Sequence, residues 1–184
     1  MTQRLHGSLD GLTDSEQRPL RPIGMSVREV ASRTGNLLSR LIDIPGVRLF
    51  AGVRVAAHVP PIAFAISAGS QVLLVESVAW PSGAYSTAPD GGVLCDGTYI
   101  GQSVQPLLGS VRRLRRVLPR HHRVGAVVVV HPCGSGLVAL PETASSELTW
   151  LPSGDVTGHI GRQLRRGRAG VRPFVALTDH LLAP

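Results

Sequence analysis

A single carboxylate inside an apolar segment is the residue of this chain best placed to do chemistry. Glu76 directly follows four consecutive apolar residues, 72–75. A segment without a polar face is typical of a strand that is buried on both sides, as in a sheet covered by helices. A bare carboxylate is very costly to bury, so Glu76 must be paired with a cation, hydrated or bound to a metal.

The residues around Glu76 predict a β-hairpin. Two short apolar runs, 62–67 and 72–78, flank the small and polar residues 68–71, which suit a tight reversal. We expect this hairpin at the centre of the sheet, with Glu76 at the end of an interior strand and Ala63 on the neighbouring strand.

The hairpin resembles the active-site motif of the PD-(D/E)XK nucleases, and the surrounding pattern is most similar to their nuclease-related domain (NERD) branch. In that branch the first strand carries an aspartate in a segment like D-I-D-H, and the second ends in E-x-K or D-x-K. Here the first strand has the sequence PIAF over 61–64, and the second has Glu76-Ser77-Val78. Glu76 is retained, whereas Ala63 stands in place of the aspartate and Val78 in place of the lysine.

The resemblance implies a nuclease fold with a degenerate site. A metal-dependent nuclease needs several oxygen ligands around Mg²⁺ and a cation near the phosphate. Ala63 and Val78 supply neither, and all nineteen basic residues are arginine, so no lysine can act as the base. We expect no catalysis, no metal site and no cofactor, with a remnant site of Glu76, Ala63, Val78 and Gln102. Gln102 matches a glutamine that family members place before the next helix, and Glu29 is a candidate for their first-helix glutamate.

Arginine is concentrated at the end of the clearest helical segment, 104–118. Apolar side chains recur there at steps of three and four, with arginines on the opposite side. No aromatic residue is interleaved, so a nucleic-acid contact here would reach phosphates without reading sequence. The neighbouring His121 and His122 lack partners at metal-ligand spacing and are expected on the surface. The predicted nucleic-acid-binding residues are Arg112, Arg113, Arg115, Arg116, Arg120 and Arg123.

The charge of the chain allows two main functions. A formal net charge of +7 favours an anionic partner. The first hypothesis is a nucleic-acid-binding module without catalysis, and it is favoured because the substrate of the resembled family is nucleic acid. The second is a scaffold or assembly subunit whose arginines contact an acidic protein. A divergent metal-dependent nuclease, with Mg²⁺ as its cofactor, is the third.

Two further expectations concern location and thiols. No stretch approaches 18 apolar residues and the first 25 residues lack the apolar core of a signal peptide, so we expect a cytoplasmic protein without membrane contact. Cys95 and Cys133 are far apart in the chain and are expected to be free thiols.

The whole pattern predicts one α/β (α+β) domain over 25–184, with a PD-(D/E)XK-like central mixed sheet of about four or five strands flanked by helices. Residues 1–24 predict a flexible N-terminal arm that contributes nothing to the core. The resemblance covers about residues 26–166. Besides the hairpin, the predicted elements are a helix at 26–42, strands at 47–55, 84–87, 93–96 and 125–130, an edge strand at 136–140, and helices at 104–118, 155–166 and 173–182.

Overall fold

The computed structural model describes residues 4–57, 59–141 and 147–166. Over these residues the chain has a mixed α/β fold with two mixed sheets and three α-helices. The larger sheet has the strand order β1-β2-β3-β4-β8-β10, and the smaller has β7-β6-β5-β9. The strands are β1 (Leu5–Gly7), β2 (Val47–Val53), β3 (Ile62–Ala68), β4 (Gln71–Trp80), β5 (Gly83–Thr87), β6 (Gly92–Cys95), β7 (Thr98–Ser103), β8 (Arg123–Pro132), β9 (Val138–Ala139) and β10 (Leu148–Pro152). The helices are α1 (Val27–Ser39), α2 (Gln105–Val117) and α3 (Val156–Arg165).

The larger sheet is covered on both faces. Leu73 and Val75 of β4 pack with α1 and α3, whereas Leu74 and Val78 pack with α2 on the opposite face. The smaller sheet adds Tyr85 to the α2-side cluster. Because both faces of β4 are buried, the strand is apolar without alternation, as the sequence predicted.

The predicted hairpin is confirmed. β3 and β4 pair antiparallel from Ala68↔Gln71 to Phe64↔Val75. Gly69 supplies a positive φ of 54° in the turn, a conformation that glycine adopts without a steric penalty. The expectation that Glu76 ends its strand is wrong, because β4 goes on pairing with β8 as far as Trp80↔Pro132.

Within the described ranges the larger sheet has six strands, whereas about four or five were expected. β1 and β10 extend it at its two edges. β1 is three residues long, which is too short for any period to be visible. β10 runs parallel to β8 with Leu148 and Trp150 buried, but its five residues are too few to stand out in the sequence.

The smaller sheet contains the predicted second hairpin, β5 and β6, and one unexpected strand. β7 follows a turn at Asp96 and Gly97, both of which have positive φ. An Asp-Gly pair is a strong signal for a two-residue hairpin turn, so the sequence does carry the information for β7. The predicted edge strand at 136–140 is reduced to the two residues of β9, which pair with β5.

The N-terminal segment is the largest correction. Residues 1–24 were expected to contribute nothing to the core, yet β1 pairs with β2, and Leu12 and Leu20 are each only 3% exposed. Leu12 packs on the α1 side of the larger sheet, and Leu20 packs on the α2 side. An extended segment inserts single side chains into a core without any regular period, so periodicity cannot reveal it.

The residues at the start of each helix are of types that favour a helix N-terminus. The Ser26 side chain accepts a hydrogen bond from the amide of Glu29 and so caps the start of α1. Pro106 lies in the first turn of α2, where the missing amide proton costs nothing. α3 begins after Asp155, although that side chain makes no capping hydrogen bond. The helix predicted at 173–182 lies outside the described residues.

Two smaller expectations concern cysteines and membrane segments. Cys95 and Cys133 are free thiols, as predicted. In the described ranges, no helix has the length and apolar character needed to cross a membrane.

Candidate functional site

Glu76 lies in the interior and is held by an arginine. Its side chain lies beside Leu107 and Ser110 of α2, so it occupies the α2 side of the larger sheet. Arg18 Nη2 lies 3.4 Å from Glu76 Oε2, and the two residues are only 5% and 6% exposed. The amide of Ser77 donates to Glu76 Oε1 at 3.1 Å. The carboxylate therefore has the cationic partner that its burial demands.

Burial and the pairing with Arg18 shift the pKa of Glu76 in opposite directions. Removal from water raises the pKa of the Glu76 carboxyl above its ordinary value, and this effect is the largest. The charge of Arg18 and hydrogen bonds from the backbone of Ser77 and Ala63 lower the pKa and offset part of that rise. The ionised form of Glu76 thus depends on Arg18.

The groups around Glu76 do not fit a magnesium ion. Arg18 and the amides of Ala63 and Ser77 approach the carboxylate with N–H donors, whereas Mg²⁺ requires oxygen ligands. A cation at this point would also lie beside the Arg18 guanidinium and be repelled by it. Among the described residues, no group of three or more His, Cys, Asp or Glu side chains is arranged to hold a metal ion.

The other residues of the remnant site are only partly brought together. Ala63 is on β3 next to Glu76, but its methyl group packs in the cluster on the α1 side. Val78 is buried on the α2 side, two residues further along β4. Gln102 is 3% exposed, and its Oε1 accepts the amide of Arg21 at 3.0 Å.

Glu29 does not belong to this group. It is exposed on α1, which covers the opposite face of the larger sheet, and it forms an ion pair with Arg33 at 3.0 Å. The first-helix glutamate of the resembled family therefore has no counterpart near Glu76 in this position.

A segment of the N-terminal region, residues 18–23, which we call the strap, crosses the remnant site. The carbonyl of Pro19 accepts the amide of Ser103 at 2.8 Å, and the amide of Ile23 donates to the carbonyl of Ala79 at 2.7 Å. Leu20 is buried in the same cluster as Leu107 of α2, and it lines the small cavity beside Glu76 together with Arg18. The cavity left beside Glu76 has a volume of about 20 Å³, which is close to the size of one water molecule.

Arg18 is the residue of this site that sequence reasoning missed. The burial of Glu76 and the lack of lysine do predict an arginine partner. They do not select one of nineteen arginines, because Arg18 lies 58 positions away in a segment without periodicity.

The second candidate site is the arginine surface, which we define as the exposed side chains of Arg112, Arg113, Arg116, Arg120 and Arg123. The first three are on α2, Arg120 is in the following loop and Arg123 begins β8. None of the five forms an ion pair with a carboxylate in the described part of the chain.

Arg115 has a structural role that distinguishes it from its neighbours. Its Nε and Nη2 both donate to the carbonyl of Val124, at 3.0 and 2.6 Å, and its Nη1 pairs with Glu147. It therefore ties the end of α2 to the start of β8 and to the residue before β10.

The two histidines beside the arginine surface differ from each other. His121 is exposed as predicted, but His122 is only 9% exposed, so its expected surface position is wrong. The His122 ring packs near His121, with ring centroids 4.3 Å apart, and its Nδ1 lies 3.2 Å from the carbonyl of Pro119.

Comparison with known proteins gives no relative to set beside this geometry. No model of a known protein family, no curated protein and no solved structure matches the chain significantly.

Proposed function

We propose that this chain is a nuclease-related protein of PD-(D/E)XK-like fold that binds nucleic acid in the cytoplasm without cutting it. The support for the fold is the hairpin that carries Glu76 inside a mixed sheet, with helices on both faces. The contact with nucleic acid is made by the arginine surface.

The observation that carries the proposal is the charge of this surface. Its five guanidinium groups are clustered within twelve residues of the chain, 112–123, and lack carboxylate partners among the described residues. A patch of positive charge that the fold does not neutralise attracts an anionic polymer. Arginines on a helix and the loop after it contact phosphates and release condensed counterions.

The absence of cutting is supported by the surroundings of Glu76. Arg18 takes the position next to the carboxylate that an ion would need, and the strap covers the same face of the sheet. Val78 provides no proton acceptor or cation in place of the family's lysine.

A salt series with a fluorescent DNA duplex tests the binding. The test variant changes Arg112, Arg113 and Arg116 to serine and leaves Arg115 in place because it holds the fold together. The slope of log affinity against log salt should become shallower by about one for each arginine that contacts a phosphate. A matched control changes Arg40, Arg54 and Arg162 to serine. These three are also exposed, so the control removes the same charge elsewhere and should leave most of the slope unchanged.

Two results would reject the proposed contact. Equal slopes for the test and control variants would mean that total charge, and not this surface, governs binding. A lack of binding at low salt would instead favour the scaffold hypothesis, in which the same arginines contact an acidic protein.

A further inference from the structure

A cleft next to the arginine surface has features of a ligand site. It lies where β4, β8 and β10 begin and where α2 and α3 end, and its volume is about 1110 Å³. This is large enough for a ligand the size of a nucleotide. Its lining includes Arg115, His121, His122, Arg123, Gln163 and Arg166.

The charge of the cleft favours an anion. Among the described residues that line the cleft, three are arginines and one is a carboxylate, Glu147, which is already paired with Arg115. Arg123 and Arg166 remain, both exposed and neither in an ion pair within the described residues. Basic side chains near the ends of α2 and α3 also interact favourably with the helix dipoles. That explanation accounts for arginines but not for the buried polar atoms beside them.

Two residues that line the cleft each have a buried polar side-chain atom without a hydrogen-bond partner within the described residues. The atoms are His122 Nε2 and Gln163 Oε1. His122 Nδ1 donates to the carbonyl of Pro119, so a proton added to Nε2 would give a cation with a free donor. Gln163 Nε2 already contacts His159 at 2.9 Å, so its Oε1 is available to accept from a hydroxyl or amine. An unmatched buried polar group is costly, and a ligand with complementary groups would remove that cost.

We propose that this cleft binds a nucleoside phosphate monoester, with Arg123 and His122 at the phosphate and Gln163 at a hydroxyl or amine of the nucleoside. Guanidinium groups match phosphate oxygens in geometry, and a phosphate monoester also bears the charge needed to hold His122 protonated. The monoester belongs either to a free nucleotide or to the phosphorylated end of a strand held by the arginine surface. The inference rests on the proposed function only where the monoester is the phosphorylated end of a strand.

Binding should depend on pH through His122. Burial, and to a lesser degree the neighbouring His121, lowers the pKa of His122, while the bond to Pro119 raises it, and the net direction is down. Among the described residues, the other charged or titratable groups that line the cleft are Arg115, His121, Arg123, Glu147 and Arg166. A bound phosphate favours the protonated ring and raises its pKa. Affinity should therefore be highest below the pKa of the free state, decline as pH rises from that pKa to the pKa of the bound state, and level off above it.

The test is a titration of the full chain with adenosine 5′-monophosphate, followed through the imidazole NMR signals of His122. The signals are assigned with the H122Q variant. We expect the His122 pKa to rise by about one unit on binding, and adenosine without a phosphate to cause no shift. R123Q should weaken the affinity about tenfold, whereas R54Q, an exposed arginine outside the cleft, should not change it.

Competition then identifies the source of the monoester. If a single strand with a 5′-phosphate displaces the nucleotide and an unphosphorylated strand does not, the site binds strand ends. If neither strand displaces the nucleotide, the site binds the free nucleotide. No His122 shift at millimolar nucleotide, or equal losses in R123Q and R54Q, would overturn the inference. If the DNA duplex still bound in the salt series, the proposed function would stand without a nucleotide site in this cleft.

Discussion

Replacing Arg18 with methionine should destabilise the fold, and by an amount that depends on pH. Methionine keeps most of the buried apolar stem but removes the cation that faces Glu76. Breaking a buried pair from one side costs about 3–5 kcal/mol, because it leaves an uncompensated charge. Arg18 and Glu76 are 5% and 6% exposed, so little solvent is available to reduce that cost. The carbonyl of Pro61 also loses the donor that Arg18 provides at 3.2 Å.

The pH dependence follows from the carboxyl group. Without Arg18, the folded-state pKa of Glu76 rises further above its value in the unfolded chain. The folded variant then binds more protons than the unfolded one between these two pKa values. Its stability should therefore decrease as pH rises from about 4.5 through the folded-state pKa, and the gap from the wild type should widen over the same range.

Urea unfolding at pH 5 and pH 8, followed by the fluorescence of the buried Trp80 and Trp150, measures this difference. R28M is the control, because Arg28 makes an exposed ion pair with Asp10 and an exposed hydrogen bond to its carbonyl, and its loss should cost about 0.5 kcal/mol or less. The double variant R18M/E76Q should recover about 2 kcal/mol of the R18M loss at pH 8, since it removes the unpaired charge. A loss below about 1 kcal/mol in R18M, or one that is equal at both pH values, would refute the structural role of this pair.

Three further changes test the fold around the sites. Gly52→Ala should destabilise by more than about 2 kcal/mol in urea unfolding, because Gly52 has a φ of +64° and an added Cβ would overlap the carbonyl oxygen of Ser8. Gly109→Ala, in an open position inside α2, should instead stabilise by up to about 1 kcal/mol, and a loss there would contradict the helix. Ser26→Ala should cost about 1 kcal/mol by removing the cap of α1, and an unchanged urea midpoint would show that the cap is dispensable.

The elements that the sequence predicts best are those with a repeated local signal. The β3–β4 hairpin, α2 and β8 have long apolar patterns or strong turn residues, and all three lie where they were expected. β1 and β10 escape prediction because three and five residues carry too little pattern. Their positions are determined by pairing with β2 and β8, which lie far away in the sequence.

The candidate site shows the same limit. The sequence identifies Glu76 as a buried carboxylate that needs a partner, because that statement depends only on its neighbours. It does not identify Arg18, the strap or the buried ring of His122, because each depends on a contact made across the fold. The arginine surface is visible in the sequence as a cluster, but the different role of Arg115 appears only once Val124 and Glu147 are placed beside it.

The most direct test of binding without cutting is a labelled duplex incubated with the protein and Mg²⁺, divided between a native and a denaturing gel. We expect a shifted band on the native gel and a label of full length on the denaturing gel, for the wild type and for E76Q alike. A shortened label that requires Mg²⁺ and is absent with E76Q would show instead that the chain is a divergent metal-dependent nuclease.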